Sequence, residues 1–225
     1  MENLSPYYEK QEQCLLCHQP FTSTKIRSRF IKIIRYDSDL RPIYKNQEIN
    51  PLFYTAKVCP GCGFSYTDEF IKYFPPNVKD DLIKKVCSNW IPQDYGQART
   101  RQQAINSYKL AAYCAALKHE KHLTIAGIAL RTAWLYRDEE NEEQERRFLS
   151  IAAKQYEEAY SKENITSTRM SEVKVLYLMA ELNRRTGDHA KTISYLSKVI
   201  QKQHHSTEKP IIEMARDLWH ELRSR

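Results

Sequence analysis

Cys14-Leu15-Leu16-Cys17 and Cys59-Pro60-Gly61-Cys62-Gly63 are the two stretches on which the reading of this chain turns. Each is a C-x-x-C hook, and 41 residues (18–58) separate them. Two intervening residues let both sulfurs of a hook reach one ion, while backbone N–H groups inside the turn stabilise the thiolates. Together the hooks supply Cys14, Cys17, Cys59 and Cys62, the four-thiolate set that zinc takes in closed structural sites. The second hook has the CPxCG form of a metal knuckle, where Gly61 and Gly63 permit a tight turn and left-handed backbone values. The first has His18 in place of that last glycine, which makes His18 an alternate ligand. Iron uses the same ligand set and is the alternative to zinc. A redox dithiol would need a hook at a helix start, and neither hook has that setting.

Between the hooks the sequence turns β-like. Lys25, Arg27 and Arg29 alternate with Ile26, Ser28 and Phe30, so a strand is expected over Lys25 to Tyr36, with a bulge at the Phe30-Ile31 pair. Its exposed face would carry Lys25, Arg27 and Arg29 as a basic stripe, a candidate nucleic-acid surface; charge that protects a strand edge is the plainer reading. Asp37-Ser38-Asp39 reads as a turn and Asn46 to Pro51 as a loop. Phe53 to Val58 is expected as a second strand running into Cys59, giving a zinc ribbon with a hook at each end of a hairpin.

A connector follows. Thr67 to Phe74 is expected as a short helix ended by Pro75-Pro76, and Asn77 as the cap of another through Val86. Trp90, Ile91, Pro92 and Tyr95-Gly96 break that pattern with large aromatics, which points to a packed junction.

From Arg101 onward the period is helical throughout, and six amphipathic segments end with Ile193 to Ile200 and Ile211 to Leu222. Pro210 stands in a first-turn position, where its missing N–H is harmless. At Arg184-Arg185-Thr186-Gly187-Asp188, Gly187 ends one helix and Asp188 caps the next. An internal repeat appears at an offset of 47 residues: Ala133 and Leu135 match Ala180 and Leu182, and Phe148 and Leu149 match Tyr195 and Leu196. This resembles the tetratricopeptide pattern, lengthened beyond its usual 34 residues by longer helices and the loop at Lys162 to Thr168. The fold expected is mainly α with a small β part: a zinc ribbon over 1–74, a connector over 75–100 and a tetratricopeptide-like array of about six helices over 101–225.

The totals fit such a protein. With 225 residues, 41% hydrophobic and 28% charged, the chain has room for two modest domains. The formal charge of +7 leaves nucleic acid or an acidic partner open. Met1 to Gln13 is polar, with Glu2, Glu9 and Glu12, and is no signal peptide. No apolar run approaches the roughly 18 residues of a membrane span. A cytoplasmic location without a membrane partner is therefore expected, and a reducing cytosol favours metal ligands over disulfides. Cys87 and Cys114 have no C-x-x-C partner and read as small buried hydrophobes.

The order of the hooks, the Arg-rich stretch with Tyr36-Asp37-Ser38-Asp39, Ile49-Asn50-Pro51-Leu52-Phe53-Tyr54 and Val58-Cys59-Pro60-Gly61-Cys62-Gly63-Phe64-Ser65-Tyr66 resembles an uncharacterised bacterial family. Ala129-Leu130-Arg131-Thr132-Ala133-Trp134-Leu135-Tyr136-Arg137 is similar to it as well. The resemblance implies an N-terminal zinc ribbon followed by tetratricopeptide-like helices, with the four cysteines as metal ligands and no catalytic residue.

Three functions are compatible with these residues. There is no phosphate-binding glycine loop and no H-E-x-x-H, and the histidines are scattered apart from His119/His122 and His204-His205. A non-enzymatic adaptor that docks a protein or peptide on its helices is the leading expectation. Nucleic-acid binding through Lys25, Arg27 and Arg29 is the second. An enzyme using the metal is the third, disfavoured because four thiolates leave no open position on the ion.

Overall fold

The computed structural model describes residues 4–224 apart from 166, 167, 169 and 205. Glu2, His205 and part of the 162–168 loop lie outside the described residues. In order, the chain forms β1 (Tyr7–Gln13), β2 (Pro20–Ile26), β3 (Ile33–Tyr36), β4 (Pro42–Tyr44), β5 (Lys57–Val58) and β6 (Ser65–Tyr66). Then come α1 (Val78–Lys85), α2 (Arg101–Lys118), α3 (His122–Arg137), α4 (Glu142–Lys162), α5 (Glu172–Thr186), α6 (His189–Gln201) and α7 (Lys209–Arg223). The protein is mainly α, with its strands in three two-stranded pairs, β1–β2, β3–β4 and β5–β6. No helix among the described residues is long and apolar enough to cross a membrane. The chain divides into two compact units, neither continuous in sequence: Met1–Arg35 with Pro42–Glu120 and Trp134–Glu140, and Tyr36–Arg41 with Lys121–Ala133 and Asn141–Arg225.

In the first unit, α2 is the support. Thr100 and Gln103 close a reciprocal capping box at its start. Ala104, Ile105, Tyr108, Ala111 and Ala115 are buried at helical spacing. Ser65 N–H donates to the buried Cys114 sulfur at 3.4 Å, which fastens β6 to the helix. Burial pushes the Cys114 thiol up to about 12. Phe64 heads an aromatic cluster, its ring centroid 5.7 Å from Tyr66, 6.3 Å from Phe70 and 5.8 Å from Phe74.

Three local expectations are corrected in this unit. The strand expected over Lys25 to Tyr36 stops at Ile26, where a 3-10 turn over Ser28–Phe30 redirects the chain before β3. The strand expected from Phe53 shrinks to β5, because Pro51–Tyr54 form a 3-10 turn in which Asn50 Oδ1 accepts from Leu52 N–H. The carbonyls of Phe53 and Ala56 are taken by Arg99 Nη1 at 2.9 and 2.7 Å rather than by a neighbouring strand. That guanidinium is buried, also bonds Tyr95 O and Ser107 Oγ, and is brought down to about 10 by desolvation.

Residues 67–74 form turns and extended backbone instead of a helix. Their polar groups are satisfied from α2's C-terminal end: Lys118 Nζ donates to Ile71 O and Tyr73 O, and the Glu120 carboxylate accepts from Ile71 N–H. Lys118 and Glu120 pair at 2.6 Å, both buried. The α1 helix forms as expected, although Asn77 stands before it in a left-handed conformation (φ 65°) without a side-chain cap bond.

In the second unit α5 is central. Ten of its residues, from Val173 to Asn183, are buried, as expected of a helix covered on most sides. Val173, Leu176, Tyr177 and Ala180 form one core with Leu196 and Val199 of α6 and Ile211, Ile212, Ala215 and Leu218 of α7. The turn after α5 has the expected chemistry: Gly187 is left-handed (φ 97°), and Asp188 accepts from Lys191 N–H. Glu163 caps the start of α3 by accepting from His122 N–H.

Residues 36–41 belong to this unit and carry the expected Asp37-Ser38-Asp39 turn, closed by Asp37 N–H donating to Arg41 O. Ser38 Oγ donates to Glu181 Oε1 at 2.6 Å, and Tyr177 Oη donates to Ser38 O at 2.8 Å. Glu181 also accepts from Arg184 and Arg185, each at 2.7 Å.

Candidate metal centre

Each hook forms the turn of its own hairpin. β1 enters Cys14 and β2 leaves after Gln19, while β5 enters Cys59 and β6 leaves after Phe64. The single hairpin with a hook at each end is therefore replaced by two hairpins, each tipped by a hook. The longer is in full register from Tyr7 opposite Ile26 to Gln13 opposite Pro20.

The tips share one backbone pattern. Cys14 N–H donates to Gln19 O and His18 N–H to Cys14 O; Cys59 N–H donates to Phe64 O and Gly63 N–H to Cys59 O. The residue after the second cysteine is left-handed in both, with φ 62° at His18 and 72° at Gly63. His18 thus fills the position that glycine adopts with least strain. It does not belong to the group of ligand atoms gathered here. Left-handed backbone was expected of Gly61 too, but only Gly63 has it.

The four sulfurs converge. Cys14 and Cys62 are 3.6 Å apart and Cys17 and Cys59 3.7 Å apart, and all four lie within 4.8 Å of one another. A tetrahedral ion with metal–sulfur distances of about 2.3 Å separates its ligands by about 3.8 Å. These distances suit that geometry, and they are far too long for a disulfide near 2.05 Å. Cys14, Cys59 and Cys62 are buried and Cys17 is exposed.

Electrostatics favour a cation here. Hydrogen bonds from the Cys14 and Cys62 thiols, with the N–H groups of Cys62 and Gly61, hold the Cys59 thiolate down to about 2. Bonding to Cys59 pushes Cys14 up to about 12, and bonding to Cys14 and Cys59 pushes Cys62 up. A divalent ion at the centre would stabilise the thiolate form of the set. The set is compatible with one structural metal.

Neighbouring side chains brace the two tips. Tyr66 Oη donates to Gln13 O at 3.0 Å, and the buried Lys57 bridges Glu12 at 3.0 Å and Asp68 at 2.5 Å. Trp90 Nε1 donates to Pro60 O at 2.8 Å. Cys87, read from sequence as a buried hydrophobe, is half-buried beside the second hook, and burial pushes its thiol up. The aromatic connector signalled packing, but nothing in the spacing of Trp90 or Cys87 pointed to the second hook.

Lys25, Arg27 and Arg29 do not share a strand face. Lys25, lowered by burial, donates to Tyr54 O; Arg27 donates to Ser5 O and lies over the Tyr8 ring; Arg29 lies over Phe30 in the 3-10 turn.

No curated protein and no solved structure matches the chain. A family profile does, over residues 7–222, from the start of β1 into α7. The resemblance carried by the two hooks and the helical segment at 129–137 is borne out, and the chain belongs to the family described as "Uncharacterized protein conserved in bacteria (DUF2225)".

Proposed function

We propose that this protein is a non-enzymatic, cytoplasmic adaptor whose four cysteines hold one structural zinc ion. The observation that carries the reading is the closed cysteine quartet: four sulfur ligands within 4.8 Å of one another saturate a tetrahedral ion and leave no coordination position for water or substrate. Zinc is favoured over iron because closed four-thiolate structural sites are its commonest use in small β units.

The docking surface in this reading is the helical part. Support comes from the packing of α5 with α6 and α7, the Gly187–Asp188 turn, and the burial of the repeat-equivalent pairs Ala133/Ala180 and Leu149/Leu196. These are features of a tetratricopeptide-like array, whose common use is to hold a peptide or partner helix. Nucleic-acid binding through Lys25, Arg27 and Arg29 has less support, since these side chains are engaged within the chain.

Two measurements test the proposal. Elemental analysis of the purified native chain should return one zinc per chain and negligible iron; an iron stoichiometry near one would replace the metal assignment. Native co-purification should recover a protein partner whose retention requires the helices. Recovery of none would remove the adaptor role.

A further inference from the structure

A shallow, open depression of about 420 Å3 lies on the first unit between the aromatic connector and α2. Trp90, Gln93 and Tyr95 line it from the connector, and Asn106, Lys109, Leu110 and Tyr113 line it from the helix. The four helical residues are spaced i, i+3, i+4 and i+7 and so share one face. Its volume falls within the roughly 300–1,000 Å3 of small-ligand sites.

Internal hydrogen bonds decide what this lining can offer. Gln93 Oε1 accepts from Tyr95 Oη at 3.1 Å, and Asn106 Oδ1 accepts from Gln102 Nε2 at 2.9 Å. Each amide oxygen is thereby engaged, and each NH2 group remains a donor. Lys109 is exposed, its ammonium 5.9 Å from the Tyr136 ring centroid and still open to hydrogen-bond acceptors, and no carboxylate is among the lining side chains. Tyr113 is 48% exposed and presents its ring to solvent. The site thus combines aromatic surface, N–H donors and one positive charge.

A matching ligand is flat, has acceptor atoms along its edge and carries a negative group. Nucleobases meet the first two requirements: their faces stack on aromatic side chains and every base edge presents nitrogen or oxygen acceptors. A phosphate meets the third, as a point-charge partner for lysine. We infer that this depression binds a nucleobase together with its phosphate, supplied either as a free mononucleotide or within a single strand. A proline-rich peptide is a poorer match, because the Trp90 N–H that its carbonyls would use is already bonded to Pro60 O. The inference does not depend on the adaptor reading.

The test uses the full, metal-loaded chain, titrated separately with AMP, a deoxyadenylate decamer and a proline-rich peptide. Tryptophan fluorescence reports small-ligand binding, and anisotropy of the labelled decamer reports strand binding. Tyr113→Ala removes an exposed ring and should weaken binding about tenfold. Lys109→Gln should weaken it about threefold and reduce the salt slope by about one ion. Saturable binding of AMP identifies a free nucleotide as the source, and binding of the decamer alone identifies a strand; each supports the inference. It is overturned by binding that neither substitution alters, by the peptide being the sole ligand, or by no binding of AMP or decamer up to about 5 mM.

Discussion

The indole of Trp90 occupies the space that a side chain at Gly63 would need: an added Cβ would lie 2.5 Å from Cδ2 and Cε3 of the ring. Gly63 also has φ 72°, so two independent constraints meet at one residue of the second hook. Gly63→Ala should destabilise the protein by about 2–4 kcal/mol, combining left-handed strain with overpacking. Urea unfolding followed by tryptophan fluorescence measures this. The equivalent change in the first hook, His18→Gly, relieves strain and should be neutral or stabilising by up to about 1 kcal/mol. Equal effects at the two positions would contradict the packing described.

A structural metal predicts that its removal acts on the first unit. Cys14→Ser, or a strong chelator, should unfold the paired hairpins, since ligation and folding are coupled in so small a β unit. Far-UV circular dichroism should retain most of its helical signal. Unchanged spectra and unchanged thermal unfolding after verified removal would refute a structural metal.

Arg99 holds the segment before the second hook by bonding the carbonyls of Phe53, Ala56 and Tyr95. Arg99→Met fills similar volume but leaves these buried acceptors without their donor, a loss of about 3 kcal/mol or more. The denaturation midpoint of the first unit should fall, with the second unit's melting temperature unmoved. A shift below about 0.5 kcal/mol would mean that other groups satisfy those carbonyls.

Acid should act on the second unit through Glu181. Burial alone would raise this carboxyl, but hydrogen bonds from Arg184 and Ser38 and the charges of Arg184 and Arg185 outweigh it and hold the group below 4.5. A depressed carboxyl stabilises the folded state fully above its unfolded value, and that stabilisation is lost as pH falls through the folded one. Thermal midpoints measured from about pH 6 down to about pH 3 should therefore drop beginning near pH 4.5. Glu181→Gln should be less stable at neutral pH and should flatten the acid limb. A steeper limb would mean that the Glu181 carboxylate destabilises the folded state.

The parts readable from sequence are those whose geometry is set locally. Two intervening residues is the spacing at which both sulfurs of a hook can reach one ion, so the four cysteines were visible without any knowledge of the fold. The helices announced themselves through periodicity and through caps such as Gly187 and Asp188. What stayed hidden was backbone satisfied from a distance. Residues 53–56 and 71–73 read as a strand and a helix because their own pattern is apolar and aromatic. Their hydrogen-bond partners are instead Arg99, Lys118 and Glu120, about 45 residues further on, and no local periodicity encodes such pairs. The basic alternation at Lys25, Arg27 and Arg29 suggested one face, yet Lys25 turns inward and the chain leaves the strand at Arg27.

Residues 36–41 raise a question of timing. They complete the second unit, but Ser38 precedes its partner Glu181 by 143 positions. At synthesis rates of about 5–20 residues per second, the ribosome needs roughly 7 to 29 seconds to deliver the second residue after the first. During that interval the Asp37-Ser38-Asp39 turn has emerged and its recipient has not. The last helices can therefore reach their final state only by recovering a segment made much earlier, and a fragment begun at α2 would leave Tyr177 without the Ser38 carbonyl and Glu181 one donor short. Translation order, rather than helix-forming tendency, sets when this unit is finished.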